Sequence, residues 1–151
     1  MKFIWKFSKL RKAGSFLRIL LFALFLAYFY CVLEMTILSR RPGHYGGIDW
    51  RILVKWKESD WEKAFFISNV LMFVPFGFLL PMLANPLRNV LVAFPIGMFT
   101  SVAIEGIQLW FQLGYCQLDD VFANMLGFLA GFIVIWIGSV VVYWVNRLKC
   151  L

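Results

Sequence analysis

Charge is what this sequence has least of. Only 15% of its 151 residues are Asp, Glu, Lys or Arg, against about 25% in an ordinary soluble domain. By contrast 62% are hydrophobic and 19% aromatic, and mean hydropathy is +0.80. So little polar surface cannot cover a water-facing globule, and a chain this apolar is not intrinsically disordered. Histidine occurs once, at His44, and cysteine three times, at Cys31, Cys116 and Cys150. The cysteines are scattered and show neither disulfide-framework nor metal-ligand spacing, so no metal and no cofactor is expected. Cys31 should lie about 10 Å inside a span at 1.5 Å per residue, which disfavours pairing with Cys116. Cys150-Leu151 does not form a prenylation box. Positive charge accompanies long apolar runs instead of replacing them, which excludes a soluble nucleic-acid binder.

What is present is hydrophobic length. A transmembrane helix needs about 20 predominantly apolar residues, and four segments qualify: about Phe16 to Leu38, Phe65 to Ala84, Val90 to Leu113 and Val121 to Val145. The expected fold is all-α, an integral membrane bundle of four transmembrane helices. It divides into a basic arm (1–15), a membrane domain (16–145) and a short tail (146–151). There is no internal repeat.

Charge distribution orients the bundle. An inside N-terminus puts Lys2, Lys6, Lys9, Arg11, Lys12, Arg18, Arg88, Arg147 and Lys149 on the cytoplasmic face. Arg40, Arg41, Arg51, Lys55, Lys57 and Lys63 then face outward, diluted by Asp49, Glu58, Asp60 and Glu62. The positive-inside rule therefore predicts that both termini are cytoplasmic. The first span carries no small-x-small site after its apolar core, so it is expected to be an uncleaved signal anchor.

The arm places Phe3, Ile4, Phe7 and Leu10 on one helical face with lysines elsewhere. That pattern suits an interfacial helix on an anionic leaflet and equally a plain topogenic charge cluster. In the outer connection, Trp50, Leu53, Val54 and Trp61 fit an interfacial helix, whereas Trp50, Ile52, Val54 and Trp56 fit a short strand. In both cases the tryptophans are expected as interfacial anchors.

Polar residues inside the spans carry the most information, because an unpaired polar group in hydrocarbon is costly and must face the bundle or water. With this topology Glu34, Asn69, Glu105, Gln108, Asp119, Asp120 and Asn124 all fall in the outer half of the membrane. Ser101, Glu105 and Gln108 form one stripe on the third helix, and Asp120, Asn124, Gly127 and Gly131 form one on the fourth. Gly127-x-x-x-Gly131 should let the fourth helix approach another helix of the bundle closely, with homodimerisation as the lesser alternative. Pro75 and Pro95 free the carbonyls of Leu71 and Leu91. They suit either a polar cavity at a kink or ordinary kinks packed by neighbours. For Glu34 a structural role is favoured, since it lies near the surface one or two turns from Arg40 and Arg41, toward which it can snorkel or pair.

The block Asn69-x-x-x-Phe73-x-Pro75-Phe76-Gly77, then Glu105-x-x-Gln108, then Asp120-x-x-x-Asn124-x-x-Gly127 resembles, in identity, order and spacing, the VanZ-like membrane proteins. The resemblance covers about Asn69 to Gly131 and, weakly, the preceding span. It implies a small multi-pass protein of the bacterial plasma membrane, whose namesake lowers susceptibility to the lipoglycopeptide teicoplanin without remodelling the peptidoglycan terminus. It does not imply an enzyme. One position departs from the pattern: Gln117 stands where the family often has an aspartate.

Two functions follow as expectations. The first is a non-enzymatic contribution to glycopeptide resistance or cell-envelope homeostasis. In it Glu105, Gln108, Asp120, Asn124 and Asn69 bind a lipid-like ligand at the outer leaflet, with Trp110 and Tyr115 at the rim. Membrane lipids, a lipoglycopeptide or a lipid-linked cell-wall precursor would be the partners. The alternative is a small transporter or a metal-dependent membrane enzyme acting on a lipid-linked phosphate. His44 sits in a glycine-rich loop and no serine or cysteine has a visible base partner, so no catalytic residue is expected. A purely structural role also fits: the same amides and carboxylates would then be interhelical hydrogen bonds.

Overall fold

The computed structural model describes residues 15–43, 47–52 and 59–148. The expectations for the basic arm, for His44, for Trp56 and most of the outer connection, and for Cys150 lie outside the described residues. Four helices carry the fold: α1 (Ser15–Leu33), α2 (Asp60–Leu83), α3 (Val90–Trp110) and α4 (Leu118–Leu148). Among the described residues these are the four segments long and apolar enough to cross a membrane. The all-α, four-span architecture read from hydropathy is therefore what the chain adopts.

The helix ends differ from the hydropathy boundaries for local reasons. α2 starts five residues earlier than its apolar run, because Ser59 caps it. The Ser59 hydroxyl oxygen accepts from the Glu62 N–H at 3.2 Å, as in the Ser-x-x-Glu capping box. Asp60, Trp61 and Glu62 thus belong to its first turn, where acids favour the helix dipole.

α3 ends three residues before the apolar run does. The Leu113 N–H reaches back to the Gln108 carbonyl at 2.8 Å and the Gln112 N–H to that of Leu109 at 3.2 Å. This is a Schellman turn, with Gln112 in the left-handed region (φ 53°) that glycine usually fills. α1 does not stop at Leu33 but runs on as a π-helical turn, Glu34–Leu38, closed by the Ser39 N–H on the Glu34 carbonyl at 2.9 Å.

The described part of the α1–α2 connection contains one strand, β1 (Ile48–Asp49), paired in parallel with β2 (Cys116–Gln117) in the α3–α4 turn. Both loops at this end of the bundle are thereby tied together. At the other end a 3-10 turn, Asn85–Arg88, joins α2 to α3, and Asn89 caps α3 by accepting from the Leu91 N–H at 3.1 Å.

α2 and α4 pack backbone against backbone. A Cβ at Gly127 would collide with the Val70 carbonyl, one at Gly131 with that of Val74, and one at Gly77 with that of Phe128. The glycine stripe of the fourth helix therefore meets another helix of its own bundle, as its spacing predicts. Around this contact sits an aromatic core. Phe76 lies 5.5 Å from Phe25, 5.5 Å from Phe73 and 6.2 Å from Phe128, measured between ring centroids. Phe73 and Phe128 are wholly buried. α2 is continuous through Pro75 and Pro81. Close to Pro75 the Tyr28 hydroxyl donates to the Met72 carbonyl at 2.6 Å, linking α1 to α2.

Candidate functional site

Buried polarity lies almost wholly in the half of the bundle that carries β1 and β2, from the middle of α3 to its end. Of the seven buried polar or charged side chains described, Thr36, Ser101, Glu105, Gln108, Asp119 and Asn124 lie there, and Ser139 is the exception. The stripe periodicity explains why: positions 101, 105 and 108 repeat with the helical turn and face inward on α3, while the positions between them, such as Val102 and Gly106, are exposed.

Each inward side chain holds a different neighbour. Gln108 donates from Nε2 to the Thr36 carbonyl at 3.0 Å. That carbonyl belongs to the last turn of the α1 extension, where helix carbonyls lose their intrahelical donors. In an apolar surrounding such a group needs another partner. Asn124 donates from Nδ2 to the Ser101 Oγ at 2.9 Å, joining α4 to α3. Glu105 accepts the Gln117 backbone N–H at 2.9 Å and so fixes the entry into α4. At position 117, where the side chain departs from the family pattern, it is the main chain that makes this contact.

These bonds leave a specific remainder. Gln108 Oε1 and Asn124 Oδ1 are buried and hydrogen-bond to no described residue, although each side chain is only 2% exposed. Glu105, 3% exposed, stands between their levels. Asp120 and the Arg40 guanidinium are the charges near enough to act on it. Asp119 is buried beside Asp120 in the first turn of α4. In the adjoining turn, burial raises the Cys116 thiol above its ordinary pKa, and the carboxylates of Glu105 and Asp120 push it the same way.

Four of the five residues singled out for ligand contact, Glu105, Gln108, Asp120 and Asn124, thus come together. The fifth, Asn69, is half-buried on α2, and no hydrogen bond links it to the other four. The motif residues Phe73, Phe76, Gly77, Gly127 and Gly131 serve packing, and Pro75 lies among them. Trp110 and Tyr115 are exposed near the turn.

Glu34 makes its hydrogen bond within its own helix extension. Its Oε1 accepts from the Ser39 hydroxyl at 3.1 Å, a partner supplied by the π-helical turn. Arg40 instead points across to the α3–α4 turn, its Nη1 2.9 Å from where a Cβ on Gly114 would stand. Residue patterns gave no warning of Thr36 or of the Gln117 amide, because both act through the backbone. Arg40 was visible only as a topological charge. Among the described residues no three His, Cys, Asp or Glu side chains converge as a metal ligand set.

A multi-pass helical bundle with a buried, acceptor-rich cluster at one end defines a class of membrane protein. The chain belongs to the VanZ/LLP1 family, whose model matches residues 2–141. Comparison with curated proteins and with solved structures returns no match.

Proposed function

We propose that the chain is a non-enzymatic protein of the bacterial plasma membrane that contributes to glycopeptide resistance or to envelope homeostasis by binding a lipid-like ligand in the outer leaflet. The observation that carries this reading is the pair of buried amide oxygens, on Gln108 and Asn124, that hydrogen-bond to no described residue beside Glu105. A purely structural cluster would close its own hydrogen bonds, since leaving a buried acceptor empty costs about 1–3 kcal/mol. An acceptor set kept open is what a site for a donor-bearing molecule requires. Exposed Trp50, Trp61, Trp110 and Tyr115 surround that end of the bundle with the amphipathic rings that favour the lipid–water interface.

The test is a susceptibility panel in a teicoplanin-sensitive host, with wild type and Glu105→Ala expressed at matched levels. The wild-type chain should raise the inhibitory concentration of teicoplanin several-fold more than that of vancomycin, and Glu105→Ala should abolish the difference. Unchanged teicoplanin susceptibility with wild-type protein present in the membrane would sink the resistance reading. If Glu105→Gln protects as well as wild type, the charge of the carboxylate plays no part.

A further inference from the structure

The open groups of the cluster are all of one chemical kind. Gln108 Oε1 and Asn124 Oδ1 accept hydrogen bonds and cannot donate them, and the Glu105 carboxylate between them can accept more than the one bond from Gln117. Turning the amides over does not cure this. An inverted Gln108 would set its oxygen against the Thr36 carbonyl, and an inverted Asn124 would accept from the Ser101 hydroxyl only by leaving both of its amide hydrogens buried where the oxygen now stands.

The acceptors are also spread in depth. Ser101, which holds Asn124, lies seven residues from Gln108 along α3, about 10 Å at 1.5 Å per residue. That length is too great for one small ion and suits an extended polar group. At the outer edge a cation joins the acids of the first turn of α4: Arg40 is exposed, rests against Gly114 and acts on Glu105 from that side, as Asp120 does with the opposite sign. Its guanidinium is the fork that matches a phosphate. Cation outside and acceptors inside give the site a polarity that a lipid headgroup can read.

Resting on the lipid-binding reading above, we propose that the site takes a phosphate-bearing lipid whose headgroup carries its own hydrogen-bond donors, a primary ammonium or hydroxyls. The phosphate lies on Arg40, and the protic group reaches past Gln108 and Glu105 toward Asn124. Two sources share this chemistry, bulk phospholipid and a polyprenyl-linked sugar phosphate. A choline headgroup has the phosphate and the positive charge but no donor, and is the discriminating control.

The full chain, purified in detergent, would be offered equal amounts of phosphatidylethanolamine, phosphatidylglycerol, phosphatidylcholine and a polyprenyl sugar phosphate, and the retained lipid counted by mass spectrometry. Donor-bearing lipids should be retained at least about fivefold over the choline lipid, the factor worth one ordinary hydrogen bond. Whether the glycerol and ethanolamine lipids or the polyprenyl sugar dominates assigns the source. Arg40→Gln, on an exposed side chain, should lower retention of every phosphate lipid, and Asn124→Ala should bring the protic preference toward one. Melting curves identify variants that remain folded. Equal retention of choline and protic lipids by wild type would overturn the inference while leaving a lipid site in place. Retention of no lipid at all would remove the lipid-binding reading itself.

Discussion

At Gln108 one side-chain amide meets two demands at once. Its Nε2 fills the Thr36 carbonyl at the end of the α1 extension, while its oxygen is held buried with no described donor. The stripe of Ser101, Glu105 and Gln108 was legible from spacing, since helical periodicity alone puts those positions on one face. The partners were not. Thr36 and Gln117 contribute main-chain groups, and no side-chain pattern records which carbonyl or amide a tertiary fold will present. Cys116 gives a direct measure of the charge beside it. Burial, then Glu105, then Asp120 raise its pKa, so at a fixed pH below that value less of the thiol is thiolate, the reactive form. Alkylation of detergent-solubilised protein at pH 8 should therefore be slower at Cys116 than at a free thiol. Glu105→Gln removes one of the raising charges and should speed it. A rate unaffected by that substitution would show that the Glu105 carboxylate bears no charge felt at the turn.

Among the elements, α2 and α4 form the tightest contact, and glycine is the reason. The GxxxG on α4 was legible, but its partner was not, since any of three helices could have met it. The Phe73-x-Pro75-Phe76-Gly77 block supplies the answer: Gly77 gives room to the Phe128 carbonyl while Phe73 and Phe76 fill the core beside it. The helix ends were the less legible part. Hydropathy detects the apolar run and misses the polar first turn of α2 that Ser59 and Glu62 stabilise. It likewise runs through Leu113, which is apolar but belongs to the Schellman turn.

The close contact makes a sharp prediction. Gly77→Ala, Gly127→Ala and Gly131→Ala each drive a methyl into a main-chain carbonyl that has no rotamer by which to retreat. Each should destabilise by about 3 kcal/mol, the upper part of the overpacking range. At Gly106 and Gly138 an added Cβ meets nothing within 4 Å, so alanine there should be neutral or raise stability by up to about 1 kcal/mol through helix propensity. Denaturant titration in mild detergent, followed by circular dichroism, separates the two groups. Equal effects at Gly106 and Gly127 would mean that α2 and α4 do not meet in this way.

For the whole molecule, the distribution of charge is as ordered as the packing. The seven acids among the described residues, Glu34, Asp49, Asp60, Glu62, Glu105, Asp119 and Asp120, fall at the end that holds the cluster. Among the described residues the opposite end carries Arg88 in its turn, Arg147 over the Trp144 ring at 5.4 Å, and no acid. Four crossings would put Ser15 and Leu148 on one face, and the excess of Lys and Arg in the sequence beyond them predicts that this face is cytoplasmic. Cysteine positions allow the prediction to be checked without adding a label site. Cys116 lies in the α3–α4 turn and Cys150 follows α4 in sequence. A membrane-impermeant maleimide applied to intact bacterial spheroplasts should modify Cys116 and spare Cys150, and permeabilisation should expose Cys150. Cys31, exposed on α1 two residues before its end and about 10 Å inside the span, should resist the reagent in both conditions, because a membrane-impermeant maleimide does not enter hydrocarbon. Modification of Cys150 in intact cells with Cys116 protected would invert the bundle. The acceptor cluster would then open toward the cytoplasm, and a ligand arriving from outside the cell could not be its occupant.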